Sequence, residues 1–326
     1  MSRFCGHLFF LLIVIPMFAI SGAGAPYPVI IDADIGSDMD DVWALALALC
    51  SPELDLKMVV TDGHDARERA KIAAKFLERV QRTDVAVGIG VKTSDSTAPQ
   101  TKWAEDYDLS QYQGKVYEDG VQGMIEVIKN TSEPVRLVIT GPCPNIPVLL
   151  QRCPDVFKKV RVFAMSGSVK KGYGGLPSPD AEYNVRKDIR AARKLYAASW
   201  RLTIAPLDVS GLIDIRGDQY QHLMRTDSIL IRTLLENYRA WAKEGRSNAA
   251  PDVRSTTLYD AAAVYLAIEN RFCRMEEIQL SVDNRGYTVV DPRAPTIEAA
   301  MEWKDRQGFI DWMVNRLKQG IVNKHP

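Results

Sequence analysis

The chain carries no surplus of either charge: Lys+Arg and Asp+Glu both total 41 in 326 residues. Without a basic excess there is no electrostatic footprint for nucleic acid as a partner. Histidine is scarce, and beyond the first 25 residues only His64, His222 and His325 occur. The five cysteines form no CxxC and no Cys/His cluster, which argues against zinc. There is no P-loop and no GxGxxG. "AMSGS" around Ser166 lacks the first glycine of GxSxG, and no Asp/His pair accompanies it. After residue 25 no apolar run is long enough to cross a bilayer.

What is present begins with residues 1–25, "MSRFCGHLFFLLIVIPMFAISGAGA". Arg3 precedes an apolar run, Leu8 to Ile20, and small residues follow. That order is the pattern of a cleaved secretory signal, and it predicts a secreted or periplasmic protein. An uncleaved anchor is the alternative. After cleavage no membrane attachment is expected, and the mature unit is residues 26–326. Export permits disulfides. Cys143 and Cys153 are the one locally close pair, with buried free thiols as the competing reading. "NTS" at Asn130 is a glycosylation sequon, relevant only in a eukaryote.

Short β-branched runs at 28–32, 56–61, 84–89, 135–140, 160–165 and 202–206 read as buried strands. Segments at 40–50, 66–80, 120–129, 145–153 and 188–199 have helical periodicity, and later helices are expected at 226–245, 258–269 and 298–320. Alternation of strand and helix predicts an α/β fold: one domain with an open, mostly parallel sheet and helices on both faces. Ligands of such sheets bind beyond the C-terminal ends of the strands.

That is where "VIIDADIGSDMDD" (29–41) falls, with Asp32, Asp34, Asp38, Asp40 and Asp41 in ten residues. A helix N-terminus stabilises a nearby acid by only about 0.3–1 kcal/mol, which accounts for one or two of the five. Carboxylates this crowded share a proton or hold a cation. Hard oxygen ligands favour Ca²⁺ or Mg²⁺ over zinc or copper. The loop is no EF-hand, because Gly36 comes one place early and no glutamate stands at the twelfth position. "DAD" (32–34) also fits the minimal motif of haloacid-dehalogenase-like phosphatases, which leaves a phosphatase as an alternative.

"DADIGSDMDDVWALALAL" resembles the N-terminal signature of the nucleoside hydrolase family of inosine-uridine preferring type, with two extra residues between Gly36 and the last Asp pair. Further blocks similar to that family follow in order: "LVITGPCPNIPVLL" (137–150), "VRVFAMSGSV" (160–169), "AEYNVRKDIRAARKLY" (181–196), "APLDVS" (205–210) and "TTLYDAAAVYLA" (256–267). The resemblance implies hydrolysis of the N-glycosidic bond of a small-molecule ribonucleoside with one bound Ca²⁺. It also implies a homo-oligomer, without identifying an interface. Carried across by position, it implies Asp34, Asp41, the Pro144 carbonyl and Asp260 as metal ligands. Asp34 is then also the general base, and Asp40, Glu182 and Asn184 grip the ribose. Met165 either lines the sugar pocket or packs under it.

Three departures bear on substrate. Tyr259 stands where many relatives have a histidine able to protonate the leaving base. "DGHDARERA" (62–70) replaces a Gly-Asn, so that Asp65, or else His64, takes the substrate-contacting Asn place; Asp65 also reads as a helix cap. "KKGYGGLPSPDAEYN" (171–184) lacks a Gly-Asn upstream of Glu182. These departures keep a non-catalytic sugar-binding protein on the same fold as an alternative. Tyr238 and Trp241 share a helix face, either to stack on a base or as core. Trp303, Phe309 and Trp312 read as core.

Overall fold

A computed structural model describes residues 25–245 and 249–322. The expected signal segment lies outside the described residues. The strands are β1 (Tyr27–Ala33), β2 (Leu54–Thr61), β3 (Ala86–Ile89), β4 (Val116–Tyr117), β5 (Val135–Ile139), β6 (Val160–Met165), β7 (Arg201–Ala205), β8 (Cys273–Val282), β9 (Thr288–Val290) and β10 (Thr296–Trp303). They form one sheet in the order β4-β3-β2-β1-β5-β6-β7-β10-β8-β9. Pairing is parallel from β4 through β7 to β10, and β8 and β9 add antiparallel edges.

The helices are α1 (Asp40–Leu49), α2 (Ala66–Arg79), α3 (Gly120–Asn130), α4 (Asn145–Arg152), α5 (Tyr183–Lys187), α6 (Ile189–Ala197), α7 (Leu207–Ser210), α8 (Gly217–Met224), α9 (Ile229–Lys243), α10 (Ala261–Leu266) and α11 (Arg306–Gln319). Because side chains alternate along a strand, β1 sends Val29, Ile31 and Ala33 into one core and Ile30 into the other. Helices α1, α2 and α7–α11 cover the first face, and α3–α6 cover the second. No helix among the described residues is long and apolar enough to cross a membrane.

Helix α1 is buried along its whole length, against β2, α9, α10 and α11. That explains why "VWALALAL" is apolar all round rather than on one stripe. A helix so enclosed holds its first residues, Asp40 and Asp41, in one place.

Two sequence expectations fail at the C-terminal end. Residues 298–320 are not one helix: β10 occupies Thr296–Trp303, and α11 begins only at Arg306. Ala299, Ala300 and Met301 favour helix intrinsically, but pairing with β7 and β8 buries them as strand, and tertiary context overrides propensity. Strand β8, "CRMEEIQLSV", was not expected; it is polar because it lies near the sheet edge and is mostly half-buried. Cys143 and Cys153 are free thiols, as are Cys50 and Cys273. Tyr265, Phe309 and Trp312 cluster with ring centroids 5.0–5.9 Å apart, and Trp303 stacks on Phe309 at 4.7 Å, as expected of core.

Candidate active site

The strand order reverses between β1 and β5. A crevice opens there beyond their C-terminal ends, the usual ligand position in an open α/β sheet. The cavity measures about 430 Å³. Asp34, Asp40, Asp41, Met165, Glu182, Asn184, Tyr259 and Asp260 all line it, although they span more than 200 residues of sequence.

The acid loop between β1 and α1 is fixed from three sides. Arg69 of α2 donates from Nη1 to Ile35 O at 2.9 Å and from Nη2 to Ser37 Oγ at 2.8 Å. Trp241 of α9 donates to Ser37 O at 3.1 Å, and Gln100 donates to Asp38 O. Gly36 has φ +118°, and a Cβ there would lie 2.9 Å from Ile72 Cδ1, so only glycine fits. Gly141, after β5, passes so close that a Cβ would stand 2.8 Å from that of Asp34.

The five aspartates divide by environment. Asp32 is fully buried under the cleft and accepts from Asn145 Nδ2 at 2.7 Å, while its Oδ2 and Asp62 Oδ1 are buried without a hydrogen-bond partner. Burial raises Asp32 to about 7, against the bond from Asn145. Asp38 borders the cleft and accepts from Met39 N at 2.6 Å.

Asp40, Asp41 and Asp260 bring carboxylate oxygens within 4.8 Å of one another. Asp34 stands close enough for its charge to act on all three. Thr140 Oγ1 donates to Asp41 at 2.7 Å. Burial, then mutual repulsion, pushes Asp40, Asp41 and Asp260 well above the usual carboxylate range. Burial also raises Asp34, against the pull of Arg69, whose Nη1 lies 3.9 Å from Asp34 Oδ2. One guanidinium against four buried carboxyls leaves them short of positive partners, a deficit that a bound cation would fill. The donor set is all hard oxygen, and one ion with oxygen bonds of about 2.4 Å can bridge a 4.8 Å separation. The residues therefore fit a divalent cation of the calcium type.

The tight trio contains Asp40, which the sequence assigned to the sugar, rather than Asp34, which stands beside it. Pro144 does not border the main cleft. It lines an adjoining cavity of about 260 Å³ that shares Asp34, His64 and Tyr183 with it.

Glu182 caps α5, accepting from Asn184 N at 2.7 Å, Gly167 N at 3.1 Å and Val185 N at 3.2 Å. Burial raises it to about 7 against those bonds. Three of its four lone-pair positions are thereby used. Asn184 Nδ2 donates to Thr140 O at 2.9 Å and Met165 O at 3.2 Å, which leaves Oδ1 as the acceptor it can offer a ligand.

Asp65 takes the helix-cap place that the sequence also allowed. Its side chain caps α2 through Arg67 N at 3.1 Å and Glu68 N at 3.3 Å, and pairs with Lys92 at 2.8 Å. With its oxygens so engaged it does not border the cleft. His64 does, at φ +41°, with Nδ1 2.5 Å from Ser96 Oγ. Tyr238 and Trp241 are buried core, with Tyr238 bonded to Ala250 N and Trp241 to the acid loop, so the base-stacking reading fails. Tyr173 and Tyr183 supply aromatic wall instead, and Tyr259 meets Tyr173 edge-on at 6.1 Å.

Sequence reasoning missed Arg69, Thr140, Tyr173 and Tyr183. Arg69 had a signal: it falls on the face of α2 that also carries Ile72, Ala73 and Phe76, all buried. A charge in such a stripe needs a buried partner. The aromatics had none.

The family model "Inosine-uridine preferring nucleoside hydrolase" matches residues 29–311. A pyrimidine-specific ribonucleoside hydrolase RihA of Enterobacter sp. (strain 638) is 28% identical, with 90% of this chain and 98% of that one covered. The RihA of Shigella flexneri is 26% identical, covering 89% and 98%. Among solved structures, the plant nucleoside hydrolase PpNRh1 superposes with TM-score 0.76 at 21% identity, covering 90% of this chain and 99% of that one. The purine-preferring ribonucleoside hydrolase from Gardnerella vaginalis gives 0.74 at 21%, covering 90% and 98%. With its switch-point cleft, its ordered sequence blocks and a family match over nearly the whole described chain, this protein belongs to the inosine-uridine preferring nucleoside hydrolases, enzymes of the N-glycosidase type.

Proposed function

We propose that the protein hydrolyses the N-glycosidic bond of ribonucleosides in a calcium-dependent reaction, releasing ribose and free base. The carrying observation is the convergence of Asp34, Asp40, Asp41 and Asp260 with Glu182 and Asn184 in one cleft of about 430 Å³, a volume in the range of small-ligand sites. Asp34, Asp41, Asp260 and the Pro144 carbonyl would hold the calcium, with Asp40 close enough to share it. When bound, the ion supplies charge compensation and lowers the pKa of a water it holds.

Asp34 accepts the proton of the attacking water, its carboxylate oriented by Arg69. Asp40 and the Oδ1 of Asn184 accept hydrogen bonds from ribose hydroxyls, and Glu182 offers its remaining lone pair. As the base departs, the sugar takes on oxocarbenium character. The buried carboxylates favour that developing positive charge. Tyr259 packs edge-on against Tyr173, and burial raises the pKa of its phenol. We therefore assign it to shaping the wall beside the leaving base rather than protonating it. This favours bases that leave without a strong acid.

The test is a panel of purine and pyrimidine ribonucleosides, assayed for free ribose with and without a calcium chelator. Release that stops on chelation and returns with added calcium is expected. Asp41→Asn is expected to lower both calcium affinity and kcat by at least about 100-fold. Ribose binding by calorimetry with no release from any nucleoside would replace hydrolysis by a binding role.

A further inference from the structure

The opposite ends of the same strands carry a feature that nucleoside hydrolysis does not use. Arg136 is the second residue of β5 and Arg161 the second of β6, and they are direct partners in the parallel register. Arg201, the first residue of β7, is the next partner in the row. All three lie on the face shared with Val138, Phe163 and Ala205. Like charges side by side on neighbouring strands, about 4.8 Å apart, repel one another.

A cavity of about 290 Å³ opens over this row, lined by Arg136, Arg161, Arg271, Glu269, Glu298 and Phe163 among others. Both carboxylates are already engaged. Glu298 accepts from Arg161 Nη2 at 3.0 Å and from Thr203 Oγ1 at 2.9 Å. Glu269 pairs with Arg271 at 3.2 Å. Arg136 is half-buried, donates to the Ala267 carbonyl and lies over the rings of Tyr27, 3.2 Å away, and Phe163. No carboxylate among the described residues pairs with it. Arg161 Nε is buried without a hydrogen-bond partner. Arg136, Arg161 and Arg271 against Glu269 and Glu298 leave one uncompensated positive charge at the cavity, and the spare donors of Arg136 are there to receive an acceptor. Burial lowers the pKa of Arg136, and the neighbouring Arg161 adds to this, against the opposing pull of Tyr27.

We propose that Arg136, Arg161 and Arg271 form a second site, at the N-terminal edge of the sheet, for a small tetrahedral oxyanion: sulfate, phosphate or the phosphate of a monoester. Guanidinium forks match such oxygens in pairs, which a lysine cluster would not do. The site stands apart from the cleft, so it does not depend on the nucleoside reading.

The calcium-loaded full chain is titrated calorimetrically with sodium sulfate, and separately with methyl phosphate, at constant ionic strength. Saturable binding is expected. Methyl phosphate binding tighter than sulfate assigns a phosphomonoester, and equal affinity assigns the free oxyanion. Arg136→Met breaks no ion pair and is expected to weaken binding at least about tenfold, with nucleoside hydrolysis unchanged. Should that variant fail to fold, Arg271→Met at the exposed rim serves, with the same expectation. No saturable binding up to about 20 mM, or equal affinity in the variant, overturns the site.

Discussion

Arg69 is only 1% exposed, so its charge survives burial through its partners. It holds two groups of the acid loop, at Ile35 and Ser37, and stands beside Asp34. Removing it leaves buried carboxyls with less compensation, a change that costs about 3–5 kcal/mol where one partner of a buried pair is lost. Arg69→Met is expected to lower stability by roughly 3 kcal/mol in urea titrations and to reduce kcat by more than tenfold. Arg69→Lys should recover part of the stability but less of the rate, because an ammonium cannot serve Ile35 O and Ser37 Oγ as a planar fork does. Tyr259 makes the opposite case. If it shapes the wall, Tyr259→Phe keeps the ring against Tyr173 and loses only the hydroxyl. Its kcat/KM is expected to stay within about threefold of the parent. A loss of about 100-fold would make the hydroxyl the proton donor after all.

At the scale of single elements, α2 decides between two readings of Asp65. A capping aspartate replaced by alanine costs about 1 kcal/mol. Asp65→Ala is therefore expected to lower the midpoint of thermal unfolding by about 2–4 °C in a chain of this size, with KM for nucleosides unchanged. A tenfold rise in KM without loss of stability would return Asp65 to the substrate. The same helix shows what sequence could reveal. Periodicity located α2 to within a residue, and the acids of the first loop announced a charged cleft at the end of β1. Asp34, Asp40 and Asp41 were legible because five like charges in ten residues have no place in an ordinary turn. Glu182, Asn184, Tyr259 and Asp260 were reached through the family's ordered blocks, since local pattern does not say which distant loops meet. Strand β8 was missed because it is half-polar near the sheet edge, and β10 because its Ala-rich segment favours helix until its neighbours pair with it. The choice between His64 and Asp65 turned on where α2 begins, which makes Asp65 its cap and leaves His64 beside the cleft. Spacing alone carries no such information.

Across the whole molecule, the cleft depends on α1 being clamped at both ends. Its first residues are Asp40 and Asp41, and beyond its last turn Leu49 O accepts from Val322 N at 3.2 Å. A few residues on, Glu53 takes both forks of Arg316 from α11, at 2.5 and 2.6 Å. The chain's last helix is thus tied to the turn that follows its acid-bearing first helix. Burial pushes the Glu53 carboxyl up, but the hydrogen bonds and charge of Arg316 outweigh it and hold the group below its usual value. A carboxyl lowered on folding contributes stability above its unfolded pKa, and loses it as pH falls through the folded value. Glu53 is 39% exposed, so solvent screening limits the contribution. We expect Glu53→Gln to cost about 0.5–1 kcal/mol at pH 7. The gap between parent and variant in urea midpoints should close as pH is taken below the carboxylate range, because both then lack the charge. A gap that persists unchanged at pH 3 would mean that the tie is packing of the Arg316 stem on Trp312, whose ring centroid lies 4.2 Å from the guanidinium carbon, and not the ion pair.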